Sequence, residues 1–318
     1  MNGKIRTVTG DIEPSEFGVA YCHEHLIARP GEPLLERMGT AEDLMLDDED
    51  KSAAELELFA QAGGQGMIEC STREYGRDAG ALARLSERTG VNVIASTGHI
   101  MEGYWRGIED FTDRTDQDIV DELVMEITEG FEEAPDVKAG AIKVGTSKDT
   151  VHPDEERMLR AAAQVQQMTG APITTHTTAG TIPMEQVRIF AEEGADLSHV
   201  IIGHQDRRLV WEDHLAVVEA GANLGYDCLS KEKYEHDSDR VEFVQRLIAE
   251  GYGGQVCFSG DIARRSYLTS YGGGPGFTYI LWRFVPWLWS EGVSKEDTRK
   301  ILVDNPARIF TFSEGGAK

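Results

Sequence analysis

Short apolar, β-branched runs recur along the chain, at residues 19–26, 66–70, 91–97, 139–145, 172–177, 200–204, 223–227 and 255–261. Between them lie stretches with helical spacing. In 154–169, Met158, Leu159, Ala162 and Val165 share one face, and Gly170 ends the run. In 239–250, Val241, Val244, Leu247 and Ile248 do the same before Gly251. Ser294 with Asp297 resembles a capping box ahead of Ile301 and Leu302. Eight strand-like runs, each with room for a helix behind it, predict an α/β fold, a (β/α)8 TIM barrel. An open doubly wound sheet usually carries a Gly-rich turn after its first strand. Here that strand leads into Ala28-Arg29-Pro30, so the barrel is preferred. The segments 27–52, 99–118 and 262–291 are longer than a barrel needs. They predict extended loops at the C-terminal face, where barrel active sites lie.

No linker or low-complexity tract divides the chain, so residues 1–318 are read as a single domain. A composition of 40% hydrophobic and 27% charged residues is that of an ordinary globular protein. The net charge of −25 argues against a nucleic-acid partner, which needs a basic stripe to displace counterions. No apolar stretch reaches the length of a membrane span, and residues 1–10 lack the core of a signal peptide. The 4 cysteines (Cys22, Cys70, Cys228 and Cys257) lie far apart in apolar runs and read as reduced, buried thiols. The expectation is a cytoplasmic protein acting on a small molecule, without a membrane partner. The aromatic run Trp282, Phe284, Trp287 and Trp289 reads first as core. Its other reading is a pocket wall or an interface, and a homodimer is expected.

Histidines fall at the ends of the strand-like runs: His23 and His25 on the first, His176 on the fifth, His204 on the sixth. Residues two apart on a strand face one side, so His23 and His25 can share an ion. Asp261 ends the eighth run and adds an anionic oxygen. Lys143, on the fourth, would place a costly ammonium inside the barrel. Carboxylation of its amine by carbon dioxide would turn it into an anionic bridging ligand. Strand ends converge on one mouth, so the ordered set points to metal.

This set resembles the phosphotriesterase family of the amidohydrolase superfamily, and the likeness runs nearly end to end. It includes Thr9-Gly10-Asp11-Ile12, His23-Glu24-His25, Gly76-Arg77-Asp78, Ile142-Lys143-Val144-Gly145-Thr146 and His176-Thr177-Thr178-Ala179-Gly180. It continues through Val200-Ile201-Ile202-Gly203-His204, Ser259-Gly260-Asp261, Tyr271-Gly272-Gly273 and Asp304-Asn305-Pro306-Ala307. Glu69 stands where the family usually has Asp, and His99 where an aromatic is common. The resemblance implies two divalent ions, usually Zn2+, with Mn2+, Co2+ or Fe2+ as other occupants. His23, His25 and Asp261 would hold one ion and His176 and His204 the other, with carboxylated Lys143 bridging both. It implies hydrolysis of an ester-like bond by a metal-bridging hydroxide, with Asp261 as proton acceptor.

Three functions compete: a lactonase, an organophosphate triester hydrolase, and a non-catalytic ligand-binding barrel. The intact ligand set argues against the last. The polar segment 226–234 resembles that of relatives acting on phosphorylated sugar lactones, which favours the lactonase. Basic pairs follow strands six, seven and eight: Arg207-Arg208, Lys231 with Lys233, and Arg264-Arg265. Of these, Lys231, Lys233 and Arg265 best match the basic positions of those relatives and are expected to bind substrate phosphate. His99, just past the third strand, is a further candidate for the pocket.

Overall fold

The computed structural model describes residues 3–39, 41–108 and 111–313. A short antiparallel hairpin comes first, β1 (Ile5–Thr7) with β2 (Gly10–Ile12). The eight apolar runs then become eight strands: β3 (Ala20–Glu24), β4 (Gly66–Glu69), β5 (Asn92–Gly98), β6 (Ala141–Thr146), β7 (Ile173–Thr177), β8 (Val200–Ile202), β9 (Asn223–Tyr226) and β10 (Val256–Phe258). They form one parallel sheet in sequence order from β3 to β10, with helices around it. This is the expected barrel. Its seam is bridged where the Asp261 N–H donates to the His23 carbonyl at 3.2 Å and the Ser259 hydroxyl donates to the same oxygen at 2.7 Å.

The alternation of each strand divides the apolar residues between two cores. Val144, Ile202, Leu224 and Phe258 pack outward under the helices. Ala20, Cys22, Ile68, Ile94, Ala141, Ile201 and Cys257 fill the lumen, plugged from below by Ile5, Phe17 and Phe310. The C-terminal half of the lumen is left to polar side chains. On β6, Ala141 and Lys143 share the inward face while Ile142 and Val144 point out. On β3 strict alternation fails. Its register against β4 shifts between Tyr21 and Glu24, so Cys22 and its neighbour His23 both serve the lumen.

The helix Pro153–Thr169 ends at Gly170, whose φ of 78° is the left-handed cap that glycine adopts without strain. Asp237–Ala249 begins two positions earlier than its apolar spacing suggests, at acidic residues suited to a helix start. The Ser294 hydroxyl accepts from the Asp297 N–H at 3.0 Å, capping Lys295–Arg299. The three long segments lie over the C-terminal mouth and are partly helical, as at Glu32–Met38, Glu102–Trp105 and Arg265–Tyr267. In the aromatic run, Phe284 is core, whereas Trp282 and Trp289 are exposed. All four cysteines are free and buried. Among the described residues, no helix is long and apolar enough to cross a membrane.

Candidate metal centre

His23, His25, Lys143, His176, His204 and Asp261 line one cavity of about 280 Å³ at the C-terminal mouth. They fall into two groups. His25 Nε2 lies 3.4 Å and His23 Nε2 3.9 Å from Asp261 Oδ1. Opposite them, His204 Nε2 lies 2.8 Å from His176 Nδ1. Lys143 reaches the His23 side, its Nζ 3.0 Å from His23 Nε2 and donating to the Thr175 carbonyl at 3.2 Å. One ligand atom each from His23, His204 and Asp261 lies within 4.8 Å of the others.

Proton accounting shows what this donor set suits. Burial holds His176 and His204 below the ordinary histidine range, so both rings are neutral. His204 Nδ1 donates to Asp227 Oδ1 at 2.7 Å, which leaves a lone pair on Nε2. The Thr178 hydroxyl lies 3.1 Å from His176 Nε2, 2.9 Å from the Thr146 carbonyl and 2.9 Å from Met101 Sδ, so its one proton has three acceptors in reach. With its Nδ1 proton directed at Asp227, His204 presents the Nε2 lone pair to His176 Nδ1 at 2.8 Å, and a cation held by both rings would take the place of that contact. His25 repeats the pattern: Nδ1 meets the Ser71 hydroxyl at 2.9 Å, Nε2 faces Asp261, and burial lowers its pKa to about 4. The donor set fits divalent ions bound by nitrogen and carboxylate oxygen.

The backbone concedes strain here. His204 (φ 58°) and Asp261 (φ 45°) are non-glycine residues in the left-handed region, each costing on the order of 1–3 kcal/mol. Both are pinned. The His204 N–H donates to Asp227, and Asp261 is flanked by Gly260 and Ile262, whose N–H groups donate to Glu24 at 2.6 and 2.7 Å. Burial raises the Glu24 carboxyl to about 7 despite those donors.

A cationic rim stands above this floor. Lys231 Nζ donates to Asp261 Oδ2 at 2.6 Å. Burial alone would raise the Asp261 pKa, but Lys231, with His25, holds it well below the usual carboxylate range. Arg207 stacks over the Tyr234 ring at 4.1 Å, and its buried Nε donates to no group among the described residues. Arg264 lines the same mouth and pairs with Asp43 at 3.3 Å.

The profile of the phosphotriesterase family matches residues 3–310. The chain belongs to the phosphotriesterase family. A lactonase from Listeria monocytogenes superposes with a TM-score of 0.93 at 34% identity, over 98% of this chain and 100% of its own. A phosphotriesterase homology protein from Escherichia coli, whose crystal structure holds phosphate in the active site, gives a TM-score of 0.87 at 32% identity, over 93% of this chain and 99% of its own. The N-acetyltaurine hydrolase of Danio rerio is 31% identical over 352 residues, 98% of this chain and 99% of the relative. This family is generally dependent on a binuclear metal centre.

Against that family pattern, the other residues singled out in the sequence lie as follows. Lys231 is at the cavity, whereas His99, Lys233 and Arg265 do not line it. Arg265 turns outward to the Met45 carbonyl and Asp47, both at 2.6 Å. Lys233 stands behind Tyr267, donating to its hydroxyl at 2.6 Å. His99 is buried behind the cavity wall, between Glu74 and Glu122. Arg207 and Arg264, members of the basic pairs but not among the three residues expected to bind phosphate, line the wall, and Asp227 carries no expected role in the sequence. Asp227 closes an apolar strand run at the mouth just as Asp261 does, and that was the available signal.

Proposed function

We propose that this chain is a binuclear metal-dependent hydrolase that opens a phosphorylated sugar lactone. The observation carrying the metal reading is the convergence of four histidines, Lys143 and Asp261 on one cavity, where His204, its Nδ1 proton given to Asp227, presents Nε2 to His176 at 2.8 Å. His23, His25 and Asp261 would hold one ion and His176 and His204 the other, with carboxylated Lys143 between them and zinc as the expected metal. Such ions supply an acidified water and polarise the scissile carbonyl. Lys231 fixes Asp261 Oδ2 and leaves Oδ1 toward the lumen, placed to accept the proton as water adds to the carbonyl carbon. The ring C–O bond then breaks, and the proton passes from Asp261 to the departing alkoxide, giving a hydroxy acid.

The rim supports an anionic substrate. Arg207, Lys231 and Arg264 converge on one mouth, and Arg207 keeps a donor unspent. A neutral triester would have to desolvate these charges without compensation. The phosphate in the Escherichia coli relative supports the same reading. An acylated aminosulfonate is the second reading, because a sulfonate suits this rim and the Danio rerio relative is an N-acetyltaurine hydrolase. The test is kcat/KM after zinc loading on four substrates: a phosphorylated sugar lactone, its unphosphorylated parent, N-acetyltaurine and a neutral aryl triester. The phosphorylated lactone should exceed its parent at least about tenfold, roughly 1.4 kcal/mol. Equal rates on the two lactones would retire the phosphate reading, and N-acetyltaurine leading the panel would replace it with the second.

A further inference from the structure

Asp227 follows β9 and is wholly buried between the two histidine groups. Its Oδ2 accepts from His23 Nδ1 at 2.8 Å and its Oδ1 from His204 Nδ1 at 2.7 Å. A single carboxylate thus holds one ring from the His25–Asp261 group and one from the His176 group, directing Nε2 of both into the lumen. It also accepts from the His204 N–H at 2.9 Å, securing that residue's left-handed backbone. The surroundings are built around it. A Cβ on Gly225 would come within 3.0 Å of Asp227 Oδ2. From below, Asp206 accepts from the N–H groups of Asp227 and Cys228 at 3.1 and 3.0 Å. Asp206 is itself held by the fully buried Arg240 at 2.9 Å.

We propose that Asp227 is a shared positioning carboxylate that fixes the tautomer of one histidine on each side of the centre, so that the two metal positions form or fail together. The inference rests on the binuclear reading above. Its logic is the acceptor count: a carboxylate offers two acceptor oxygens, one for each ring N–H. A methyl in its place offers neither. Each ring is then free to carry its proton on Nε2, where a metal would bind. Ser71 is the natural contrast, since among the described histidines its hydroxyl meets His25 and no other.

The experiment is zinc stoichiometry against buffered free Zn2+, measured by elemental analysis, for wild type, Asp227→Ala, Gly225→Ala and Ser71→Ala. Circular dichroism confirms cooperative unfolding of each metal-free variant. Wild type should take two equivalents. Asp227→Ala, which removes both acceptor oxygens, should weaken both together, by about tenfold to hundredfold. Ser71→Ala should weaken one and leave the other. If Asp227→Ala does not fold, Gly225→Ala keeps the charge but displaces the whole carboxylate by crowding Oδ2, and both equivalents should again shift together. Loss of one equivalent with the other unmoved, in whichever Asp227-directed variant folds, would overturn the sharing. Full wild-type occupancy would overturn the positioning role. A wild type that takes fewer than two equivalents would instead remove the binuclear reading, and the proposal with it.

Discussion

Asp261 meets opposite demands on its two oxygens, Lys231 on Oδ2 and the histidine pair on Oδ1. A group that takes a proton mainly in the transition state is needed for turnover more than for binding. Asp261→Asn should therefore lower kcat by about a hundredfold or more and move KM little, read from steady-state kinetics on the lactone. Near wild-type kcat would exclude the proton-transfer role. Arg207 is the residue for substrate preference. Arg207→Ala should cost about tenfold in kcat/KM on the phosphorylated lactone and leave the unphosphorylated parent unchanged. Parallel loss on both lactones would assign Arg207 to packing. The cationic character of the mouth was legible in the basic pairs, but which member of each faces inward was not. Arg207 faces the cavity and Arg208 pairs with Asp213; Arg264 faces it and Arg265 pairs with Asp47. Adjacent loop residues follow no period that resolves such a choice, whereas a strand residue such as Lys143 is placed by alternation alone.

At the scale of elements, the segment after β5 builds one wall of the cavity through Ile100, Met101 and Tyr104, and His99 anchors it. His99 Nδ1 lies 3.3 Å from Glu74 and Nε2 3.6 Å from Glu122, and Glu74 also accepts from the Ile100 N–H at 2.7 Å. Glu122 is paired in turn with Arg114. Burial works against charge on His99, but Glu122 and Glu74 outweigh it and raise the pKa from 6.5 to about 10. A pKa raised on folding gives stability that is complete below about 6.5 and is lost as pH climbs through 10. His99→Gln should destabilise by on the order of 3 kcal/mol at pH 7, and the deficit should shrink toward pH 10 in denaturant unfolding. A deficit independent of pH would leave His99 a packing residue only. The strands were legible because each carries an apolar period and a clear stop. The β3 irregularity was not, since a bulge is written in the pairing partner as much as in the strand itself. His99 shows the same boundary: sequence placed it near the mouth, but its two carboxylate partners come from other segments.

For the whole molecule, a chain of net charge −25 gathers Arg207, Lys231 and Arg264 at one opening, so its attraction for an anion is local to the cavity. The barrel also pays for the centre it builds, in buried polar side chains and two left-handed residues. Bound ions should return that stability by mass action. At a free zinc concentration a thousandfold above Kd the gain is about 4 kcal/mol, so chelation should lower Tm by on the order of 5 °C, and zinc should restore it. An unchanged Tm in calorimetry would argue against ions held by the folded lumen. The central claim is tested most directly by high-resolution diffraction from zinc-loaded crystals, with anomalous differences recorded at the zinc edge. The account predicts two anomalous peaks among His23, His25, His176, His204 and Asp261, and density extending beyond Lys143 Nζ to bridge them. A single peak, or a bare Lys143 amine in a fully loaded crystal, would contradict it.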